Sequence, residues 1–391
     1  MTDSVIIYLW VGCSIFICGL LFSSNVFSYI DGKDHDYSRE RNLDGLRYIL
    51  ASMVVFHHSD YFINYFTINK WTTHSDFIYS IGKFGVAIFF SITAFLFWGK
   101  IRKSKNIDWI NLYKDRFFRI VPMTYLSSFI AVSYIILMST NHNNISLDDL
   151  LKWFDASVFD IKPNINGFNN SVLVLSGVTW TIKWEWGFYF SLPIIYFLRS
   201  KPLEASIGIM FVCMYFLPSF TDASYWYYSA FACGILSKEL SCRISLSKKT
   251  SDLMLLASVT IFVLLNPSLN STRPWIIVTV FMLCVAKGAS LFGILNIKGF
   301  TRLGECSYSI YLLQGVVFYP SFAFIKDKYD IRDKVIASCS NKLFSDALDA
   351  LNNSYIQNFE DQIIFVINHI LDELNKNKVL LKLISKNLSF G

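Results

Sequence analysis

The stretch LDGLRYILASMVVFHHSD, residues 43–60, sets an aspartate, an arginine and two adjacent histidines into an otherwise apolar run. The run is long and apolar enough to cross a bilayer, where an ionisable group costs roughly 2.5–3.5 kcal/mol on insertion scales. Arg47 and His58 are eleven residues apart. At about 100° per residue that step closes to within about 20° of whole turns, so both share one helix face, ~16 Å apart along the axis. Asp44, one turn before Arg47, lies near the same face, whereas His57 points about 80° away, toward a neighbouring helix. Two readings stand at this point. Either the face lines an internal path, or Arg47 snorkels to the headgroups and His58 is a hydrogen-bonded structural histidine.

The rest of the chain carries the same signature. Of 391 residues, 53% are hydrophobic and 16% charged, against about 25% charged in an average soluble domain; the mean hydropathy is +0.42. Apolar residues come in continuous blocks rather than in alternation, which excludes a barrel. The blocks fall at about 5–22, 43–63, 82–99, 118–138, 178–198, 204–218, 223–237, 252–266, 274–288 and 303–325. The expected fold is therefore an all-α, polytopic helical membrane protein of about ten transmembrane helices. Asp3 and the absence of a basic leader make the first block a retained helix rather than a signal peptide.

The net charge of +6 sits in short clusters between the blocks, the pattern of cytoplasmic loops and not of a nucleic-acid surface. Every second loop is basic, which puts the N-terminus outside. Residues 326–391 change character: apolar residues recur at three- and four-residue steps, which predicts an amphipathic helical tail. Three regions follow: an extra first helix with its basic loop (1–41), a membrane domain (42–325) and the tail (326–391). The eight cysteines show no metal-ligand spacing and no disulfide framework.

Further segments carry chemistry-bearing residues. TWTIKWEWGFYFSLP (179–193) places Glu185 about two turns into its block, at a depth comparable with His58. A carboxylate there needs a partner or a proton; His58 and Glu185 would form either a base with its orienting group or a polar pair joining two helices. Trp180, Trp184 and Trp186 fit an interfacial belt. KDRFFRIVP places Arg116 and Arg119 one turn apart, suited to phosphate recognition and equally ordinary as topology markers. The small residues of GKFGVAIFFSITAFLFWGK (82–100) fit close helix packing.

Taken in order, these segments resemble the membrane-bound acyltransferase family 3, which includes O-antigen and exopolysaccharide O-acetyltransferases. LDGLRYILASMVVFHH is similar to the family's opening helix, with Arg47 and His58 as its arginine and histidine. RFFR is similar to its R-x-x-R element. WTIKWEWGFYFSLP is similar to its tryptophan, glutamate, Phe-Tyr and proline segment, and LGECSYSIYLLQG (303–315) to its S-Y-S-x-Y-L-x-H segment. The resemblance covers about residues 42–315. It departs in four ways: the extra first helix, SITAF in place of S-G-F, Gln314 in place of the usual histidine, and the amphipathic tail where another span is usual.

The resemblance implies transfer of an acyl group, usually acetyl, from cytoplasmic acetyl-CoA to a hydroxyl of a glycan or lipid-linked oligosaccharide, in the bacterial inner membrane and without a metal. It implies His58 as general base, Glu185 orienting it or the acceptor, Arg47 with Asp44 along the path or at the oxyanion, and Arg116 and Arg119 on the CoA phosphates. Two alternatives remain from the sequence: a transporter or flippase of a glycan or lipid-linked precursor, and a truncated, inactive acyltransferase, suggested by Gln314 and the tail.

Overall fold

Four short polar residues start helices. Ser75, Asp108, Ser146 and Ser247 each accept a hydrogen bond from the backbone N–H three residues on, satisfying a donor that the first turn leaves open. The computed structural model describes residues 2–30, 41–73, 75–139, 146–217, 226–269 and 271–329. The basic loop at 31–40 and the expected tail beyond residue 329 lie outside them.

Twelve α-helices occur among the described residues: α1 (Thr2–Leu21), α2 (Arg41–Ile68), α3 (Asp76–Lys103), α4 (Trp109–Met138), α5 (Leu147–Lys152), α6 (Trp180–Phe197), α7 (Pro202–Phe211), α8 (Tyr227–Ser241), α9 (Lys248–Leu265), α10 (Arg273–Ala286), α11 (Lys298–Glu305) and α12 (Ser307–Tyr329). Each of the ten apolar runs carries a helix, and the last is divided at Cys306 between α11 and α12. Three stretches are long and apolar enough to cross a membrane: Asp76–Lys103, Trp109–Met138 and Ser307–Lys326. α2 is long enough, but Asp44, Arg47, His57, His58 and Asp60 dilute its apolarity. Residues 1–65 and 70–322 form one unit, and the site described below lies within it.

α3 is the centre of that unit. It packs against α8 and also meets α6, α9 and α10. Gly234 of α8 lies directly on the carbonyl of Ser91, where a Cβ would collide with backbone. The Ser91 hydroxyl donates at 2.7 Å to the Ala230 carbonyl. One turn past Gly234, the fully buried Glu239 accepts from the Trp98 indole at 2.7 Å and pairs with Arg102 at 3.3 Å and Arg243 at 2.6 Å.

Other helix ends are tied by side chains. The buried Arg302 of α11 donates at 2.7 Å to the carbonyls of Phe22 and Ser24, just past α1, where free carbonyls and the helix dipole favour a cation. Asn42 donates to Val285 and Ala289 at the end of α10.

The segment from Trp153 to Thr179 folds inward rather than forming a loose external loop. Asp155 accepts from the backbone of Ser157, Phe159 and Asp160 and pairs with the buried Lys162 at 2.6 Å. Burial pushes its carboxyl up, but Lys162 and the backbone donors more than offset this and hold it below the usual carboxylate range. Leu175 and Ser176 are buried against Gly315 of α12. Trp186, expected in an interfacial belt, is instead buried, donating at 3.0 Å to the Ala156 carbonyl. The infolded segment supplies that acceptor, and nothing in the local sequence announces it.

The α3–α8 contact makes a direct prediction. Gly234→Leu should destabilise the purified protein by at least about 1–3 kcal/mol, the usual range for overpacking. Gly208→Leu, at a position open to its surroundings, should change it by less than about 0.5 kcal/mol. Thermal unfolding in detergent reads both, and equal effects would contradict the close approach.

Candidate functional site

Helical periodicity brings one face of α3 past three cavities in succession. Near its start Tyr79, Gly82, Lys83 and Val86 line an outer cavity of about 560 Å³. Val86 also lines a middle cavity of about 90 Å³, together with Phe89, Phe90, Ile92 and Thr93. Leu96, Phe97 and Lys100 line a third, of about 190 Å³, at the basic end. From Tyr79 to Lys100 the helix rises roughly 32 Å at 1.5 Å per residue, close to the ~30 Å of a bilayer's hydrocarbon core. The cavities share walls: Val86 and Tyr311 belong to the outer and middle ones, and Arg119 to the middle and basic ones.

The basic cavity brings Arg116 and Arg119 together, as their one-turn spacing on α4 predicts, beside Lys100 and Asp115. Arg116 lies over the Phe97 ring at 5.2 Å, a cation–π contact that fixes the guanidinium without using its hydrogen-bond donors. Three cations against one carboxylate leave this cavity positive.

The middle cavity holds Arg47 and Glu185, with Arg119, Tyr308 and Tyr311 around them. Asp44 pairs with Arg47 at 2.9 Å, one turn apart on the face the sequence arithmetic predicts. The carboxylate of Glu185 accepts from the buried hydroxyl of Tyr189. Tyr311, on the wall between middle and outer cavities, shares a hydrogen bond with Thr181 at 3.0 Å.

The outer cavity is lined by both histidines. His58 Nδ1 lies 3.0 Å from the Val54 carbonyl and 3.2 Å from Gln314 Oε1. Gln314, itself buried, donates its Nε2 at 2.8 Å to the Tyr311 carbonyl, which turns its Oε1 toward the ring. Both neighbours of Nδ1 are therefore acceptors. They assign the proton to Nδ1 and leave Nε2 as the basic nitrogen. His57 contacts α3, as its orientation predicts: its Nδ1 lies 3.0 Å from the Ile78 carbonyl, and its ring lies directly on Gly82.

The expected meeting of Glu185 with His58 does not occur: no hydrogen bond joins them. Glu185 faces the middle cavity and engages Tyr189, while Gln314 takes the place beside His58. Helical depth gives the level of a residue, and it does not say which neighbouring helix faces it. Sequence reasoning also passed over Lys83, Trp226, Tyr227 and Asn266, all in the outer wall. Lys83 had a signal, being an ionisable residue inside an apolar run. Among the described residues no group of three His, Cys, Asp or Glu is placed to hold a metal ion.

Comparison with known proteins bears on this site as a whole. A family model described as an acyltransferase domain matches residues 40–336, which includes every residue of the three cavities. No curated protein and no solved structure matches the chain. With most of its length and all three cavities inside that match, the chain belongs to acyltransferase family 3, a family of membrane proteins that transfer acyl groups.

Proposed function

We propose that this chain is a multi-pass O-acyltransferase of the bacterial inner membrane that moves acetyl from cytoplasmic acetyl-CoA to a hydroxyl of a cell-surface glycan or its lipid-linked precursor. The observation that carries the reading is the series of three adjoining cavities along α3, with guanidinium groups at one end and, at the other, a histidine whose Nδ1 faces two acceptors. Ten spans with alternating basic loops put the arginine end inside and the histidine end outside.

Arg116 and Arg119, with Lys100, hold the CoA phosphates; guanidinium groups suit them because each gives paired hydrogen bonds. The middle cavity then receives the slender pantetheine arm, and the thioester reaches the wall formed by Val86 and Tyr311. His58 Nε2 takes the proton from the attacking hydroxyl as its oxygen bonds to the acyl carbon. The carbon–sulfur bond breaks, and the thiolate takes that proton from the imidazolium, giving the ester and free CoA. Gln314 stabilises the imidazolium through Nδ1 and keeps Nε2 aimed at the hydroxyl. Arg47, held by Asp44, lies along the route with Arg119, where cationic donors stabilise charge developing on the acyl oxygen. Glu185 fixes Tyr189 and balances the two guanidinium groups in the middle cavity.

Glycan prepared from cells with and without the gene tests the reading by NMR for O-acetyl groups. His58→Ala at equal protein level should abolish the acetyl signal, and Gln314→Ala should lower the transfer rate by roughly 10–100-fold, the scale of one hydrogen bond to a charged group, about 1.5–3 kcal/mol. His57→Ala should retain most of it. Equal loss in both histidine variants would contradict the assignment of His58. Arg116→Ala should weaken acetyl-CoA binding to the purified protein by about tenfold, the scale of one charge-assisted contact, and unchanged binding would leave Arg116 as a topology marker.

A further inference from the structure

The outer cavity is unlike the other two in its charge. Lys83 is the cation in its wall, and no carboxylate lines it among the described residues. The ammonium is half-buried. It donates at 3.1 Å to Asn266 Oδ1, a neutral acceptor that also receives the Ser80 hydroxyl, and it lies 4.2 Å from the Tyr79 ring centre. It forms no ion pair among the described residues; Asp76, two turns earlier on α3, acts on it only through the longer-range field. Asn266 caps the end of α9 in the left-handed region at φ 36°, and the Ser80 hydroxyl holds the side-chain carbonyl that positions Lys83.

The remaining wall suits a sugar ring. Trp180 and Tyr227 lie against each other at 4.7 Å, and Trp226 adds a third aromatic surface. Aromatic faces cover the C–H face of a pyranose, while the side chains of Ser268 and Asn266 set polar groups beside them in the same wall. The volume, about 560 Å³, falls in the ordinary range for small-molecule sites, ~300–1,000 Å³. A cation facing a cavity with low-dielectric walls raises the local concentration of anions.

Resting on the outer cavity as the acceptor site, we propose that the acceptor sugar is anionic, bearing a carboxylate or a phosphate, with Lys83 as its counter-charge. The same side chain then orients the ring, because an acid group anchored at Lys83 fixes which hydroxyl is presented to His58.

The test is a binding titration of the full chain in lipid nanodiscs without any acyl donor, read by tryptophan fluorescence. D-Glucuronate, D-glucose 6-phosphate and D-glucose are the probes. At least one anion should bind about tenfold more tightly than glucose, as a charge-assisted hydrogen bond implies. Whichever anion it is separates carboxylate from phosphate recognition. Lys83→Met and Lys83→Gln should each remove the advantage while eluting as monodisperse protein, and Lys83→Arg should keep it. Raising salt from about 0.05 M to about 0.5 M should shrink it. Wild-type protein that binds glucose as tightly as both anions, or a Lys83→Met variant that keeps the preference, would overturn the proposal. Because no acyl group is present, this outcome is independent of whether the chain acetylates a glycan.

Discussion

The seam between α3 and α8 is the constraint on which the other features depend. Lipid tails are as apolar as the side chains they would replace, so membrane helices gain from close van der Waals packing and interhelical hydrogen bonds rather than from burial alone. Gly234 permits the backbone contact at Ser91, and Glu239 gathers Trp98, Arg102 and Arg243 around one buried carboxylate. With one face held this way, at Ser91, Trp98 and Arg102, α3 keeps a fixed rotation, and its other face runs past all three cavities. A different rotation would turn Lys83, Thr93 and Lys100 away from them together.

The polar residues at the site follow one rule, that a buried donor or acceptor finds a partner. Asp44 answers Arg47 and Tyr189 answers Glu185. The two acceptors at His58 Nδ1 belong to the same rule and have a chemical consequence, since they decide which ring nitrogen is basic. A glutamine at position 314 is sufficient for this. Its amide oxygen accepts from Nδ1–H while its amide nitrogen is occupied by the Tyr311 carbonyl.

Much of this was legible in the sequence, and the limits have physical reasons. Residues on one helix are related by a fixed angle, so the grouping of Asp44 with Arg47, and of Arg116 with Arg119, followed from arithmetic. Relations between helices have no such rule. Glu185 and His58 share a depth but face different cavities. Gln314 read as a departure because it stands where the family pattern has a histidine, and its contact with His58, 256 residues away in the chain, has no local signal. Trp186 read as interfacial because the infolding of residues 153–179 leaves no periodic trace. Lys83 and Glu239 were ionisable residues in or beside apolar runs and carried the usual signal of a functional or structural site.

The central claim is that donor and acceptor meet at His58 from opposite faces of the membrane. Vesicles of known orientation, given acetyl-CoA labelled in the acetyl group from outside, test it most directly. Inside-out vesicles should place base-labile label in the glycan fraction, right-side-out vesicles should not, and His58→Ala should remove the label. Equal labelling in both orientations would contradict a route that begins at Arg116 and Arg119 on one side and ends at His58 on the other.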